Sequence, residues 1–472
     1  MKRVLVAGGG ISGLAAAWWL REAGLRVTVL ERDPAPGGTM KTVREGGWLV
    51  ETGPNSALET TPLIGRLCAG AGVSGRRIYP DARAERRYIL RGGRLHPLPM
   101  SPGAFLRSGL WSVRGKLRLL KEPFVGRAVE EESVAAFVER RLGREFLEYA
   151  IDPFVAGVYA GNPRDLSVRS AFPKLYALEA RYGGLIMGAV RGRKERRRRR
   201  EKAKDRARLF SFEGGMQVLP DALAAGLGGD FQGGTEVRGL ARRDAGWEVS
   251  WVRDGTVQSE GADAVVLAVP AFAAAALLGV LDPAMGASLE VVAYPPVAQV
   301  FLGFPEDRIG VPLDGFGFLV PAKEGRRILG TLWSSALFPG RSPAGFAALT
   351  TFVGGGRQPA LAGMGDGELI DLVVTELGSI MGVRGEPAFA RVIRWERAIP
   401  QYAVGYHRLL ASCDAFEASH RGVFLTGNYR GGIAVGDCIA SGMKTAARVL
   451  DALEIPHPYG EDPEPISVEK DT

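Results

Sequence analysis

The first thirty-one residues constrain this chain more than any other stretch. Lys2 to Ala7 is a short apolar run that reads as a buried parallel strand, and it leads into Gly8-Gly9-Gly10-Ile11-Ser12-Gly13. Leu14 to Ala23 then has helical character and stops at Gly24, and a second strand, Arg26 to Leu30, closes on Glu31. A strand, a GxGxxG turn, a helix and a strand in one short unit are the makings of a dinucleotide site. Gly8 permits the tight turn, Gly10 lets a pyrophosphate approach the backbone, and Gly13 lets the helix pack on the strand. Gly9, Ile11 and Ser12 complete the cradle, where the helix N-terminus offers free N–H groups to phosphate. Glu31 can accept hydrogen bonds from ribose hydroxyls, which disfavours a 2′-phosphate.

The rest of the chain sets bounds on this reading. Its 472 residues suit two or three domains. Cys68, Cys413 and Cys438 are far apart and odd in number, so they suggest neither a disulfide framework nor a metal motif, in keeping with a reducing cytosol. The four histidines show no ligand spacing, and no metal is expected. No secretory signal is expected, and no apolar run is long enough to span a bilayer. The net charge of +8 is unevenly spread: Arg191 to Arg208 holds twelve Lys/Arg against three acids, leaving the remainder near neutral.

Segments beyond the first unit separate one dinucleotide from another. Arg32-Asp33-Pro34-Ala35-Pro36-Gly37-Gly38-Thr39 carries a second glycine pair, and Glu51-Thr52-Gly53-Pro54-Asn55-Ser56 is an E-x-G-P turn. Near the other end, the strand Gly422 to Leu425 enters the glycine-rich turn Gly427-Asn428-Tyr429-Arg430-Gly431-Gly432-Ile433-Ala434-Val435, with a helix expected over Asp437 to Val449. These segments resemble the flavin amine oxidase superfamily. The resemblance implies FAD, with Arg32, Gly38, Thr39, Gly53, Pro54, Asn55 and Ser56 near it. Asn428, Ile433, Ala434 and Val435 would lie at the pyrimidine edge of its ring. It also implies that Val237 touches the adenosine through its backbone and that Trp395 packs near the flavin. Pattern alone makes both ordinary core residues.

Between the flavin segments, Arg86-Arg87-Tyr88, Gly157 to Asn162, Leu166 to Pro173, Gly214 to Pro220, Gly315 to Pro321 and Ile399 to Tyr402 resemble the porphyrinogen oxidase branch. The resemblance runs from about residue 4 to about residue 449, and it rests on the order of these segments, none of which is diagnostic alone. It implies six-electron oxidation of protoporphyrinogen IX to protoporphyrin IX in haem or tetrapyrrole biosynthesis, with O2 as acceptor. Coproporphyrinogen III is the alternative substrate; an amine oxidase or a carotenoid desaturase is more distant. No side chain is assigned as catalytic, because flavin N5 carries the chemistry. Arg87 would hold a propionate, and Phe316, Leu319, Leu332 and Phe352 would line a slot for the macrocycle. Gly317 would bring a carbonyl near the pyrrole N–H groups. From spacing alone, the four apolar residues are sheet core and Arg87 is a solvated side chain.

The expected fold is therefore α/β: a discontinuous Rossmann-like FAD-binding domain, a mixed-sheet substrate domain and an inserted helical domain. FAD-binding parts are placed at 1–80, 209–279 and 401–456, and substrate parts at 81–94 and 280–400. The helical insertion is 95–208, and 457–472 is a flexible tail. Within the insertion, which is mostly helical by pattern, Glu130 to Tyr149 has acids early and helical apolar spacing. Ala104 to Leu120 reads as a basic amphipathic segment with a tryptophan, suited either to a membrane interface or to packing on its own domain. The run Arg193 to Arg208 reads as a solvated loop or a binder of anionic lipid; having no interleaved aromatic, it is least suited to nucleic acid. The partners expected are the porphyrinogen, O2 and a membrane surface, with room for a homodimer and no specific nucleic acid. The expected location is cytoplasmic, peripheral or monotopic on the cytoplasmic side of the membrane.

Overall fold

The computed structural model describes residues 1–81, 84, 86–191, 207–244 and 246–459. Most of the basic run and most of the tail lie outside the described residues. The first unit forms as the sequence predicts, with β1 (Arg3–Ala7), α1 (Ile11–Glu22) and β2 (Arg26–Leu30). These belong to a five-stranded parallel sheet ordered Phe231–Gln232, β2, β1, Ala264–Leu267 and Val423–Leu425. Its strands come from the start, middle and end of the chain, which makes this fold discontinuous.

Side-chain alternation decides what each face of that sheet covers. Val4, Val6, Val27 and Val29 pack with α1 and the C-terminal helix Val435–Ala452. Leu5, Ala7, Val265 and Leu267 point the other way, onto Leu240, Trp247, Val249 and Trp251. Those four stand on the antiparallel meander Thr235–Arg243, Gly246–Arg253 and Thr256–Ala262. Full burial of one such large apolar side chain contributes about 1.5–3 kcal/mol. Buried on both faces, Val4 to Ala7, Ala264–Leu267 and Val423–Leu425 are continuously apolar.

The second large unit is a seven-stranded mixed sheet ordered Phe389–Trp395, Val297–Pro305, Phe346–Gly354, Gly330–Trp333, Gly315–Leu319, Arg86–Arg91 and Arg94–Pro97. Ala298, Val300, Leu302 and Phe304 pack with Leu369, Leu372, Val373 and Leu377 of the helix Asp366–Met381, which covers one face. The alternate residues Gln299 and Phe301 reach the flavin-motif segment: Gln299 Nε2 donates to the Glu51 carbonyl, and Phe301 meets Trp48 edge-on. One face is thus core, and the other addresses the dinucleotide fold.

The helical region is broken in two places. Glu130 to Tyr149 is not one helix. Ser133 caps Val134–Arg141, with its Oγ accepting from the Ala136 N–H at 3.1 Å. Gly143, at φ 96°, then breaks the run before a continuous helical stretch from Arg144 to Tyr159. The early acids act as ties instead of helix-dipole partners: Glu131 accepts from Ser167 and Gly405, and Glu132 pairs with Arg140. Ala104 to Leu120 is likewise divided, into Pro102–Arg107 and Val113–Arg118. Leu110 and Trp111, between them, are buried inward, whereas Leu106, Val113, Leu117 and Leu120 are exposed. Arg141, fully buried, binds Glu122 and Glu179 and locks the turn after these helices onto Pro173–Tyr182.

Candidate active site

The glycines of the first turn divide by what surrounds them. Gly8 has φ 106°, and a Cβ there would lie 2.7 Å from the Ala268 carbonyl oxygen. A Cβ on Gly13 would lie 2.0 Å from the Gly8 carbonyl oxygen. These two are demanded by the turn and by the contact of α1 with the strands. Gly10 is different: a Cβ there would meet nothing within 4 Å. It opens onto free space, at the start of a helix with no side-chain cap. That is the arrangement in which a phosphate can approach backbone N–H groups.

Glu31 is buried beside this turn, its two carboxylate oxygens accepting from the Gly9 N–H at 2.5 Å and the Asp33 N–H at 2.8 Å. Each oxygen keeps further acceptor capacity for a hydroxyl. The second glycine pair folds back onto the first turn. Gly37 N–H donates to the Gly9 carbonyl at 2.8 Å, and Gly38 approaches Gly10 closely. Val237 sits half-buried two residues after Thr235, whose N–H donates to the Glu31 carbonyl, and a β-bulge follows it.

The E-x-G-P turn is braced from several sides. Gly53 is pressed against Thr39, where a Cβ would lie 2.1 Å from the Thr39 carbonyl oxygen. The Trp395 indole N–H donates to the Thr52 carbonyl at 2.7 Å, and Asn55 Nδ2 donates to the Gly53 carbonyl at 3.2 Å. Pro54 and Ser56 are half-buried beside them. The Glu51 carboxylate turns inward, accepting from the Thr42 hydroxyl at 2.7 Å and the Met216 N–H at 2.9 Å. Burial raises its pKa; the Thr42 bond and the Arg341 charge oppose that rise. Arg32 does not join this cluster. Its side chain is 72 % exposed and lies 3.8 Å from Asp33.

The C-terminal turn is delivered to the same place. Gly442 of the C-terminal helix faces Ser12 of α1 so closely that a Cβ would lie 2.6 Å from the Ser12 carbonyl oxygen. Gly427 and Gly432, at φ 136° and 116°, shape the turn, and Val435 begins a helix with no side-chain cap. Val435 is buried, Ile433 half-buried and Ala434 exposed. Cys438, on the first turn of that helix, has its thiol pushed up to about 12 by burial, so it is an inert core thiol.

The sheet face opposite the helix Asp366–Met381 collects the residues assigned to the substrate. Gly317 pairs with Arg87 on one side and Leu332 on the other, Leu319 with Gly330, and Gly330 with Phe352. Residues two apart share a face, so Arg87, Leu319, Leu332 and Phe352 stand together. The Arg87 guanidinium lies 5.4 Å from the Phe316 ring centroid. Arg86 instead bonds Asp314 at 2.6 Å. Gly317 has a cause inside the sheet: φ is 126°, and a Cβ would lie 2.0 Å from the Thr331 carbonyl oxygen. The need for glycine there is therefore met without invoking a bound macrocycle. Two neighbours in the Gly157 to Asn162 segment were given no role at the site by the sequence reading. Gly157 lets its helix press on Leu319, and Ala160 packs in the cluster that Phe352 joins. Both lie far from the sheet in sequence, and neither carries a chemical signal.

A parallel βαβ fold joined by a distant C-terminal turn, beside a second sheet with an apolar face, has the arrangement of an FAD-dependent oxidoreductase. The chain belongs to the flavin containing amine oxidoreductase family, whose model matches residues 11–450, and FAD is its cofactor. It is 36 % identical to protoporphyrinogen oxidase 2, chloroplastic/mitochondrial, of Arabidopsis thaliana, covering 96 % of this chain and 94 % of that one. It is 30 % identical to coproporphyrinogen III oxidase of Bacillus subtilis (strain 168), covering 96 % and 98 % respectively. The crystal structure of cyclohexylamine oxidase from Brevibacterium oxydans IH-35A superposes with a TM-score of 0.69 at 18 % identity, over 96 % of this chain and 99 % of that one. That likeness speaks for the fold alone.

Proposed function

We propose that this enzyme oxidises protoporphyrinogen IX to protoporphyrin IX for haem or tetrapyrrole synthesis, with O2 as acceptor. The observation that carries the reading is the sheet face where Arg87 stands over Phe316 beside Leu319 and Leu332. Among the described residues, Arg86, Arg91 and Arg357 pair with Asp314, Glu145 and Asp152, whereas Arg87 meets the Phe316 ring and makes no ion pair. One uncommitted guanidinium beside an apolar surface suits a macrocycle with propionates on one edge.

When bound, FAD supplies the two-electron acceptor. Gly8 to Gly13 would take its pyrophosphate, Glu31 the ribose and Val237 the adenosine side. Gly38, Thr39 and Gly53 to Ser56 would line the path to the ring, with Trp395 bracing their turn. Asn428 and Ile433 to Val435 would meet the pyrimidine edge. Arg87 would orient the substrate by its propionates, while Phe316, Leu319, Leu332 and Phe352 exclude water around it.

Coproporphyrinogen III is the second reading, favoured by the Bacillus relative; its four carboxylates ask for more cations than Arg87 alone. Porphyrin fluorescence read on both porphyrinogens separates the two. Arg87→Ala removes a charge-assisted contact of about 1.5–3 kcal/mol, so kcat/KM for protoporphyrinogen should fall roughly 10- to 150-fold. Equal turnover of both substrates, unaffected by the substitution, would overturn the choice.

The domain limits proposed are those of the sequence reading: flavin parts at 1–80, 209–279 and 401–456, substrate parts at 81–94 and 280–400, and the helical insertion at 95–208. We also propose that the insertion rests on the cytoplasmic face of a membrane. Among the described residues no helix is long and apolar enough to cross one. The insertion does present Leu117, Leu120 and Phe124, 58 %, 69 % and 89 % exposed, among Arg114, Lys116 and Lys121. Such a surface suits anionic headgroups.

A further inference from the structure

Four of the six carbonyls of the turn Gly427–Gly432 accept bonds from within the protein. The Gly427 carbonyl accepts from the Arg430 N–H at 3.1 Å, and the Tyr429 carbonyl from the Tyr406 hydroxyl at 2.6 Å. The Gly432 carbonyl accepts from the Cys438 thiol at 3.5 Å. The Asn428 carbonyl accepts from the Tyr402 hydroxyl. Tyr402 does more than its neighbours, because the same hydroxyl oxygen accepts from the Gly432 N–H at 3.1 Å. One phenol thus ties the two ends of the turn together. Its ring is 5 % exposed and stacks on Tyr406 with centroids 4.5 Å apart. Burial raises the Tyr402 pKa well above the usual phenol range, so the hydroxyl keeps its proton and remains a donor.

We propose that Tyr402 is a positioning residue for FAD: by holding the Asn428 carbonyl and the Gly432 N–H, it fixes the turn with its acceptors facing inward. The uncapped start of the helix at Val435 is then the electropositive element left facing the flavin. A site of that polarity stabilises the extra negative charge of a reduced ring and of a ring carrying a bound anion. Without the hydroxyl, the Asn428 carbonyl loses its anchor and the turn loses the bridge between its ends. The inference rests on the assignment of this turn to the pyrimidine edge.

The test uses full-length holoenzyme and two readouts besides turnover: the flavin midpoint potential and the dissociation constant for sulfite, an anion that adds to oxidised flavin. Tyr402→Phe keeps the stacked ring and should weaken sulfite binding about tenfold, with the potential lower by about 30 mV, the equivalent for a two-electron couple. Tyr406→Phe, which frees only the Tyr429 carbonyl, should change both at least threefold less. Tyr402 replaced by 2,3-difluorotyrosine donates more strongly and should move the potential upward, a response that a packing role alone would not give; this also serves if Tyr402→Phe does not fold. Sulfite affinity within twofold of wild type and a potential within about 9 mV of it in Tyr402→Phe, or no upward shift with the fluorinated residue, would overturn the proposal. Gly432→Ala separates the two levels of inference, since its Cβ would sit 2.7 Å from the Asp437 Cβ and distort the turn itself. A shift in Gly432→Ala without one in Tyr402→Phe removes Tyr402 but keeps the turn; no shift in either removes the turn from the flavin site.

Discussion

Replacing Gly10 by alanine separates cofactor binding from folding, because the added methyl group enters space that the protein leaves open. Gly10 has φ −70° and ψ 170°, which alanine adopts freely. As the residue before α1, it loses up to about 1 kcal/mol when alanine replaces glycine at a helix cap. The lower entropy of the unfolded chain returns about 0.4–1 kcal/mol. These effects nearly cancel, so the apoprotein should unfold in urea at almost the wild-type midpoint. The pyrophosphate, however, must retreat from the helix N-terminus and give up a charge-assisted bond of about 1.5–3 kcal/mol. That predicts FAD binding weaker by roughly 10- to 150-fold, measured by quenching of FAD fluorescence. Gly13→Ala behaves differently, since its Cβ would be 2.0 Å from the Gly8 oxygen and 3.0 Å from the Ala268 Cβ. Overpacking of this kind costs about 1–3 kcal/mol and outweighs the roughly 1 kcal/mol gained in helix propensity. Stability and FAD affinity should fall together there. Gly10→Ala binding FAD within twofold of wild type would show that the phosphates do not lie against this glycine.

Burial and exposure govern two further outcomes. Burial raises the thiols of Cys68 and Cys413 to about 11 and that of Cys438 to about 12. At pH 8 they carry almost no thiolate, so the folded protein should resist Ellman's reagent and release three thiols only in denaturant; a thiol that reacts at once in the native state contradicts this. Leu117→Asp together with Leu120→Asp should cut flotation with anionic vesicles at least tenfold, given about 1.5–3 kcal/mol per buried leucine. Turnover in detergent should be unchanged, and equal flotation would remove this surface from the membrane contact.

The dinucleotide fold was legible because each of its demands is local. Gly8, Gly13 and Glu31 meet steric and hydrogen-bonding needs set within one βαβ unit, and the same is true of Gly37 against Gly9. The C-terminal turn could be read for a related reason, as a strand running into glycines and then a helix. Helix boundaries in the insertion were less legible. Acids at Glu131 and Glu132 match a helix start, yet tertiary partners claim both, and Gly143 ends the first helix in a conformation its neighbours do not announce. Leu110 and Leu117 look alike in sequence, and only packing makes one core and the other surface. Least visible was Tyr402, whose two bonds reach 26 and 30 residues along the chain to backbone atoms. Backbone partners leave no imprint on the identity of the side chain they bear.

The parallel sheet also imposes an order on biosynthesis. Ala264–Leu267 pairs with β1 on one side and with Val423–Leu425 on the other. Translation at about 5–20 residues per second puts roughly 20–80 s between the emergence of β2 and that of this last strand. Through that interval the glycine turn exists without its C-terminal counterpart, and the edge of Ala264–Leu267 awaits its partner. Parallel pairing at such separation is slow to form because its loop closure precedes its reward. A ribosome stalled before residue 423 should therefore hold a chain unable to retain FAD, which makes cofactor retention a late checkpoint on completion of the polypeptide.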